Sequence, residues 1–204
     1  QTLYQFLKEQ NFEDKELLES NVVKLDKNNK IRDFFYNRLM FPITNEYGKI
    51  VGFGGRVLDN SNPKYINSPE SDFFKKRNIL YNLYNAKQTI RSKKNMLICE
   101  GYMDVISLYD KNIKTAVAPL GTSLTESHLI LSWKYVSKPT LMFDGDTSGI
   151  KASFKSAVMS LPYLTPSKLL QFVILPNQYD PDTYINEFSM NEFAKYLRYP
   201  LSIV

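Results

Sequence analysis

The pattern of apolar and polar positions changes character near residue 95. Before it, brief apolar stretches alternate with polar, turn-forming ones. "LYQFLKEQ" sets Leu3, Phe6 and Leu7 on one helical face, and "EDKELLESNVV" repeats the spacing. Short helices are therefore predicted up to about residue 22. "LDKNNKIRD" reads as a turn. "MFPITNEYGKIVGFGGRVL" reads as a strand, a turn at "NEYG" and a second strand. Its glycines, Gly52, Gly54 and Gly55, suggest a bulge or a close backbone approach by a ligand. "DNSNPKYINSPESD" has the composition of a loop, and "NILYNLYNAKQTIRS" spaces as a helix.

After residue 95 the rhythm is regular. "NMLICEG", "KTAVAPLG", "PTLMFDGD" and "LLQFVILP" are apolar runs of strand length. Each is followed by a helical pattern: "YMDVISLYDKN", "TESHLILSWKYVS", "TSGIKASFKSAVMSL" and the start of one at "PDTYINEF". Continuous apolar strands alternating with helices predict βαβ units and a parallel sheet covered on both faces. The expected class is α/β: a mostly parallel sheet flanked by helices, preceded by a small mixed α+β part. The expected divisions are 1–94, helices plus a β-hairpin and truncated; 95–185, the sheet domain; and 186–204, the start of a C-terminal helical segment.

Composition changes this picture little. Of 204 residues, 43% are hydrophobic and 23% charged, an ordinary balance for a chain with a real core. No apolar run approaches the roughly 20 residues of a membrane span, and no signal peptide opens the chain. It begins at Gln1 rather than Met, so a piece of a longer protein is expected. The one cysteine, Cys99, excludes an internal disulfide and fits a reducing compartment. With a single histidine, His128, it argues against zinc. Cys99 is read as a small core residue, and His128 as a helix residue with a structural hydrogen bond.

Charge changes it more. Residues 30–95 hold 13 Lys/Arg against 5 Asp/Glu, and the remainder holds 13 against 16. That split fits a polyanion-binding surface joined to a carboxylate-bearing module, or simply a solvated lysine-rich surface.

The carboxylates stand where a parallel sheet binds ligands, beyond the carboxyl ends of its strands. The first strand ends in Glu100-Gly101, the third in Asp144-Gly145-Asp146, and the fourth runs into Asp180 and Asp182. The glycines there are expected to let the backbone turn sharply. Two like charges about 4 Å apart repel by roughly 4 kcal/mol at an effective dielectric near 20. A cation, a shared proton or a divalent metal must offset that. The strand-end loops carry no lysine, which favours Mg²⁺ (or Mn²⁺). Taken alone, Asp146 could equally cap the helix that follows, and Asp104, a turn past Glu100, could support the site or be merely exposed.

"EGYMDV" at 100–105, "PLGTSLT" at 119–125, "DGDTSG" at 144–149 and "DPDT" at 180–183 resemble the Toprim fold, which bacterial-type primases, topoisomerases and some nucleases share. Upstream, "RLMFPI", "GKIVGFGGRVL", "PKYINSPE" and "FKKRNILYNLY" are similar to the bacterial replicative DNA primases of DnaG type, and the resemblance covers roughly residues 15–200. It implies that Glu100, Asp144 and Asp146 are catalytic and hold metal, together with Asp180 and Asp182 and with Asp104 beside them. It implies a nucleotide or template contact for Lys76. It sets Arg38, Arg56, Lys64, Tyr65 and Asn67 in a basic groove, where point charges suit phosphates and tyrosine suits stacking. Arg77 and Asn82 stand where that family commonly has glycine. The family's N-terminal zinc module and C-terminal helicase-binding domain do not fit in this chain.

The activity implied is Mg²⁺- or Mn²⁺-dependent synthesis of short RNA primers on single-stranded DNA from ribonucleoside triphosphates during replication. The implied partners are the template, those triphosphates and the RNA primer, with the replicative helicase and single-strand-binding protein reached through the longer parent. The implied location is the cytoplasm around the nucleoid, or a bacterial-type organelle, with no membrane partner. The alternatives are another Toprim enzyme such as a nuclease, an aspartyl-nucleophile phosphatase suggested by "FDGDTS", and an inactive nucleic-acid-binding fragment. A topoisomerase needs a nucleophilic tyrosine in a further domain, for which there is no room.

Overall fold

The structure, a computed structural model, describes residues 2–203, the side chain of Ile203 excepted. It divides into two compact units, one of residues 1–43 and 51–74, the other of residues 44–50 and 75–204.

The first unit opens with two short helices, α1 (Leu3–Glu9) and α2 (Asp14–Glu19). Thr2 caps α1 by accepting from the Gln5 N–H. Next come β1 (Val23–Leu25) and β2 (Ile31–Asp33), antiparallel, with Lys24 opposite Arg32. The turn read at 25–33 is real: Asp26 accepts from the N–H groups of Asn28 and Lys30 at 2.8 and 3.0 Å. Its flanks are strands, which three-residue segments with one or two apolar positions did not reveal. Asp33, on β2, accepts from the N–H groups of Leu3 and Tyr4, both at 2.9 Å, and so secures the start of α1.

A three-stranded sheet follows, in the order β3 (Arg38–Thr44), β4 (Ile50–Val57), β5 (Tyr65–Asn67). The β3–β4 hairpin is as predicted, and β5 lies inside the expected loop. The glycines of β4 do not form a bulge. Gly54 and Gly55 pair in regular register with Asn67 and Ile66. A Cβ on Gly55 would meet the Phe35 ring at 2.7 Å and Arg38 Cδ at 3.0 Å, and one on Gly52 would meet the Phe74 ring at 3.2 Å. At Gly52 and Gly55 the close approach is by the protein's own side chains.

In the second unit a single 3₁₀ turn, Lys76–Asn78, precedes α3 (Leu83–Lys93). The predicted helix starts late because Tyr81 bridges to Ala118 and Asn82 is left-handed, with φ 67°. Then the alternation runs as expected: β6 (Leu97–Ile98), α4 (Tyr102–Asp110), β7 (Ala116–Val117), α5 (Glu126–Trp133), β8 (Thr140–Phe143), α6 (Thr147–Ser160), β9 (Leu170–Ile174), α7 (Pro181–Glu187) and α8 (Met190–Arg198). A last strand, β10 (Leu201–Ile203), pairs antiparallel with β9, so the segment past 186 holds a strand as well as a helix.

The sheet order is β10-β9-β8-β6-β7, with β6, β7, β8 and β9 parallel. Alternate residues feed two cores. Ile98, Val117, Leu141, Phe143 and Phe172 pack with residues of α3 and α5 on one face. Leu97, Cys99, Ala116, Met142 and Val173 pack with residues of α4, α7 and α8 on the other. Burial on both faces explains why these strands read as unbroken apolar runs. The first crossover runs from β6 out to β7, and the next returns past β6 to β8. The switch point therefore lies between β6 and β8, where an open α/β sheet leaves a crevice at the strands' carboxyl ends.

Candidate functional site

Glu100 and Asp144 follow β6 and β8, the two strands that flank the switch point. They touch: the Asp144 N–H donates to Glu100 Oε1 at 3.2 Å. Oδ1 of Asp144 is buried and has no hydrogen-bond partner. An uncompensated buried carboxylate oxygen is costly, and burial pushes the Asp144 carboxyl up to about 7, with Glu100, Asp104, Asp180 and Asp146 adding their repulsion. Burial, then the charge of Asp146, also raises Glu100, against the bond from the Asp144 N–H.

Asp104, on α4, is only 8% exposed and accepts from the Gly101 N–H at 2.9 Å. Burial lifts it to about 7, as do Asp180 and Asp182, while the N–H groups of Gly101 and Asp182 pull it down. The buried Cys99 thiol is raised for the same reasons, burial first and then Asp104, Asp144 and Glu100.

The other acids have structural partners. Asp146 caps α6, accepting from the Gly149 N–H at 2.7 Å. Asp180 caps α7, accepting from the N–H and hydroxyl of Thr183 at 2.7 and 2.6 Å. Asp182 accepts from the Ser107 hydroxyl of α4 and, at 2.9 Å, from Asn186 Nδ2. Helix capping is thus part of what the strand-end acids do, and Asp144 is the one left with a bare buried oxygen.

The Asp-Gly-Asp loop is fixed by space rather than by an unusual turn. Neither Gly101 nor Gly145 has positive φ. A Cβ on Gly145 would stand 1.8 Å from the Pro176 carbonyl oxygen, and one on Gly149 would stand 2.2 Å from that of Asp144. The Gly145 N–H donates to the Tyr179 carbonyl at 2.9 Å. The expected sharp turning is therefore replaced by close packing of the loop on the chain leaving β9.

Among the described residues, no three Asp, Glu, His or Cys side chains are gathered tightly enough to cage an ion by themselves. Mg²⁺ does not require such a cage. It is commonly held by one or two carboxylates, with waters and substrate phosphates completing the shell. Oxygen donors, an orphaned buried carboxylate oxygen and mutual repulsion all fit a hard divalent cation. Beside Glu100 a cavity of about 250 Å³ opens between residues 119–124 and α6, with Ile98, Leu141 and Phe143 among its apolar walls and Lys155 and Thr122 among its polar ones.

Lys76 lies in the 3₁₀ turn of this same unit, half-buried, with Arg77 exposed next to it. The remaining predicted binders belong to the first unit. Arg56 and Tyr65 are cross-strand partners on β4 and β5. The Arg56 guanidinium and the Lys64 ammonium lie 5.7 and 5.8 Å from the Tyr65 ring centre. Asn67 is two residues on, opposite Gly54 on the same face. Arg38 is engaged internally: it donates to the carbonyls of Pro63 at 2.9 Å, Gly55 at 3.3 Å and Lys64 at 3.4 Å. Sequence reasoning did not single out a cleft of about 1050 Å³ in this unit, whose lining includes Lys24, Arg32, Tyr36 and Arg38. Only the basic and aromatic residues around the β1–β2 turn hinted at it.

Comparison with known proteins gives two matched stretches. Residues 1–87 match the family model "DNA primase catalytic core, N-terminal domain", and residues 97–185 match "Toprim-like". A DNA primase of Buchnera aphidicola is 43% identical over 182 residues, which is 89% of this chain and 32% of that protein. A DNA primase domain from Pseudomonas aeruginosa superposes with TM-score 0.88 at 36% identity, covering 96% of this chain and 63% of that one. A DnaG primase catalytic domain solved bound to single-stranded DNA gives TM-score 0.88 at 36% identity over 96% of this chain and 64% of that one. The chain thus spans about a third of the length of the full relatives it matches.

Proposed function

The chain belongs to the DnaG-type DNA primases, and on that premise we propose that it carries the reacting centre for primer synthesis, with Mg²⁺ or Mn²⁺ as its cation. The reaction is template-directed nucleotidyl transfer: ribonucleoside triphosphates joined into short RNA on single-stranded DNA. The observation that carries this reading is Asp144 Oδ1, buried without a partner at the sheet's switch point and acted on by the charges of Glu100, Asp104, Asp180 and Asp146.

Glu100, Asp144 and Asp146 are the residues that would hold the cation, with Asp104, Asp180 and Asp182 around them. A bound divalent cation supplies charge neutralisation for a triphosphate and acidifies a hydroxyl. The chain's own contribution is position. Gly145 and Gly149 bring the loop close against Pro176 and α6. The Asp144 N–H orients Glu100. Lys76, Arg56 and Lys64 present charge to phosphates, and Tyr65 offers a ring to a base. The N-terminal part of the chain is read as the basic, template-holding half of the core, and residues 95–185 as the reacting half. No described helix is long and apolar enough to cross a membrane. The proposed place of work is the cytoplasm, on nucleoid DNA. The helicase and single-strand-binding protein would be met through the longer parent.

The test is incorporation of labelled ribonucleotides on a single-stranded template with Mg²⁺ or Mn²⁺, by this chain and by a full-length primase containing it. Template-dependent short RNA, lost in Asp144→Asn, is expected. Incorporation that survives Asp144→Asn in both proteins would remove the reacting-centre assignment.

A further inference from the structure

His128 is completely buried and takes no part in the chemistry of the acidic end. It occupies the third position of α5, where a capping box usually has Glu or Gln. Its Nδ1 accepts from the Thr125 N–H at 3.2 Å, closing the box, while Thr125 Oγ1 accepts from the His128 N–H at 3.3 Å. A glutamate could do that much. The imidazole also has a second nitrogen, and Nε2 donates to the Lys76 carbonyl at 2.9 Å. The two bonds fix the neutral tautomer with its proton on Nε2, and burial lowers the pKa in the same sense.

Thr125 works in parallel. Its hydroxyl donates to the Arg77 carbonyl at 2.9 Å. Two adjacent carbonyls of one basic turn are therefore held by the two residues that cap one helix. A three-residue 3₁₀ turn has too few bonds of its own to hold its shape: within it, the Ile79 N–H reaches the Lys76 carbonyl at 3.3 Å. Its other bond runs from the Asn78 N–H to the Lys75 carbonyl at 2.9 Å. Without α5, the Arg77 carbonyl would lose its Thr125 donor and the Lys76 carbonyl would keep only the long bond from Ile79.

We propose that His128 and Thr125 are positioning residues, a latch that sets the backbone from which Lys76 and Arg77 project toward nucleic-acid phosphates. The latch rests on the reading that this turn meets nucleic acid. It explains why both ring nitrogens of a buried histidine are engaged in opposite directions, which core packing alone does not require.

The experiment is binding of a fluorescent oligo-dT to this chain across a salt series, with thermal melting as a control. His128→Asn keeps a short acceptor for the helix cap and is too short to reach the Lys76 carbonyl. His128→Gln keeps both an acceptor and a long donor. Each phosphate held contributes about 0.7 to the log–log salt slope on a single strand. His128→Asn should weaken binding and lower the slope by about 0.7–1.4, one or two phosphates, and His128→Gln should restore it. The pair Lys76→Ala with Arg77→Ala should lower the slope as much, and His128→Asn added to that pair should change it no further. If His128→Asn does not fold, Thr125→Gly is tolerated at an N-cap, loses the donor to the Arg77 carbonyl and should lower the slope in the same way.

An unchanged slope in His128→Asn, or an effect that adds fully to the Lys76/Arg77 pair, overturns the latch and leaves the reading of the turn standing. Unchanged binding in the Lys76/Arg77 pair overturns the reading of the turn, and the latch with it.

Discussion

The carboxyl end of the parallel sheet and the β3–β4–β5 sheet both concentrate charge, yet they handle it in opposite ways. At the first, like charges accumulate: Asp144 keeps a bare buried oxygen, and the four acids around it act on it by repulsion. At the second, one cation is absorbed and others are not. Arg38 gives its guanidinium to three carbonyls, whereas Arg56 and Lys64 only flank the Tyr65 ring. Unrelieved charge marks a place that waits for a ligand, whereas charge already satisfied marks scaffold. The two kinds of residue should therefore fail differently when removed.

The largest effect is expected at the acidic end. Asp144→Asn should cut primer synthesis by about 10²–10³-fold or more, the scale of losing a preorganised electrostatic group at a reacting centre. Circular dichroism should show an unchanged fold. Activity within a few-fold of wild type would place the reacting centre elsewhere.

Next in size is the loop that carries it. Gly145→Ala puts a Cβ where the Pro176 carbonyl oxygen already stands, 1.8 Å away. Backbone on both sides cannot yield cheaply, so a loss above about 4 kcal/mol is expected, at the exceptional end for one substitution. Chemical denaturation reads it directly. A loss below about 1 kcal/mol would mean that the loop can relax away from β9, and that its position is not fixed by packing.

Arg38 and Arg56 divide the basic sheet. Arg38→Ala leaves three carbonyls without their donor and should cost about 1–3 kcal/mol of stability. Arg56→Ala gives up a partly exposed cation–ring interaction and should cost about 0.5–1 kcal/mol. In oligo-dT binding the order should reverse. Arg56→Ala should lower the salt slope by about 0.7 for each phosphate that Arg56 holds, and Arg38→Ala should leave it nearly unchanged. Equal slopes in the two variants would erase the distinction between scaffold and DNA-binding residue.

These contrasts also explain what could be read from the sequence. The four parallel strands were legible because both of their faces are buried, and with them the position of Glu100, Asp144 and Asp146 just beyond strand ends. β1, β2, β5 and β10 were not, being only three residues long and so too short to show a period. The late start of α3 was hidden because Ile79, Leu80, Leu83, Ala86 and Ile90 keep apolar spacing straight through the Tyr81–Ala118 bridge. Tertiary pairing overrode that local pattern. Charge type was visible, but what a long side chain reaches was not: nothing in "RLMFPI" says that Arg38 will find Pro63.

The pH dependence of stability is the most diagnostic of the acidic end, because it appears without substrate. The carboxyls of Asp144 and Asp104 are pushed up to about 7 in the folded chain, against about 3.9 for an unfolded aspartate. Below about pH 4 both states hold these protons and the two groups cost nothing. Between about 4 and 7 the unfolded chain ionises first, so the folded state loses ground as pH rises, and above about 7 the loss is complete. Other groups titrate across the same range, so the informative quantity is the difference between variants. The melting temperature of Asp144→Asn minus that of wild type, without metal, should be near zero at pH 4, grow through pH 7 and then stay level. A gain of about 1 kcal/mol corresponds to roughly 2–4 °C for a chain of this size. Mn²⁺ should raise the wild-type melting temperature most above pH 7, where Asp144 is ionised, and should raise that of Asp144→Asn far less. A difference between variants that shrinks as pH rises would mean that Asp144 is already neutralised by the protein, and the contrast with the basic sheet would collapse.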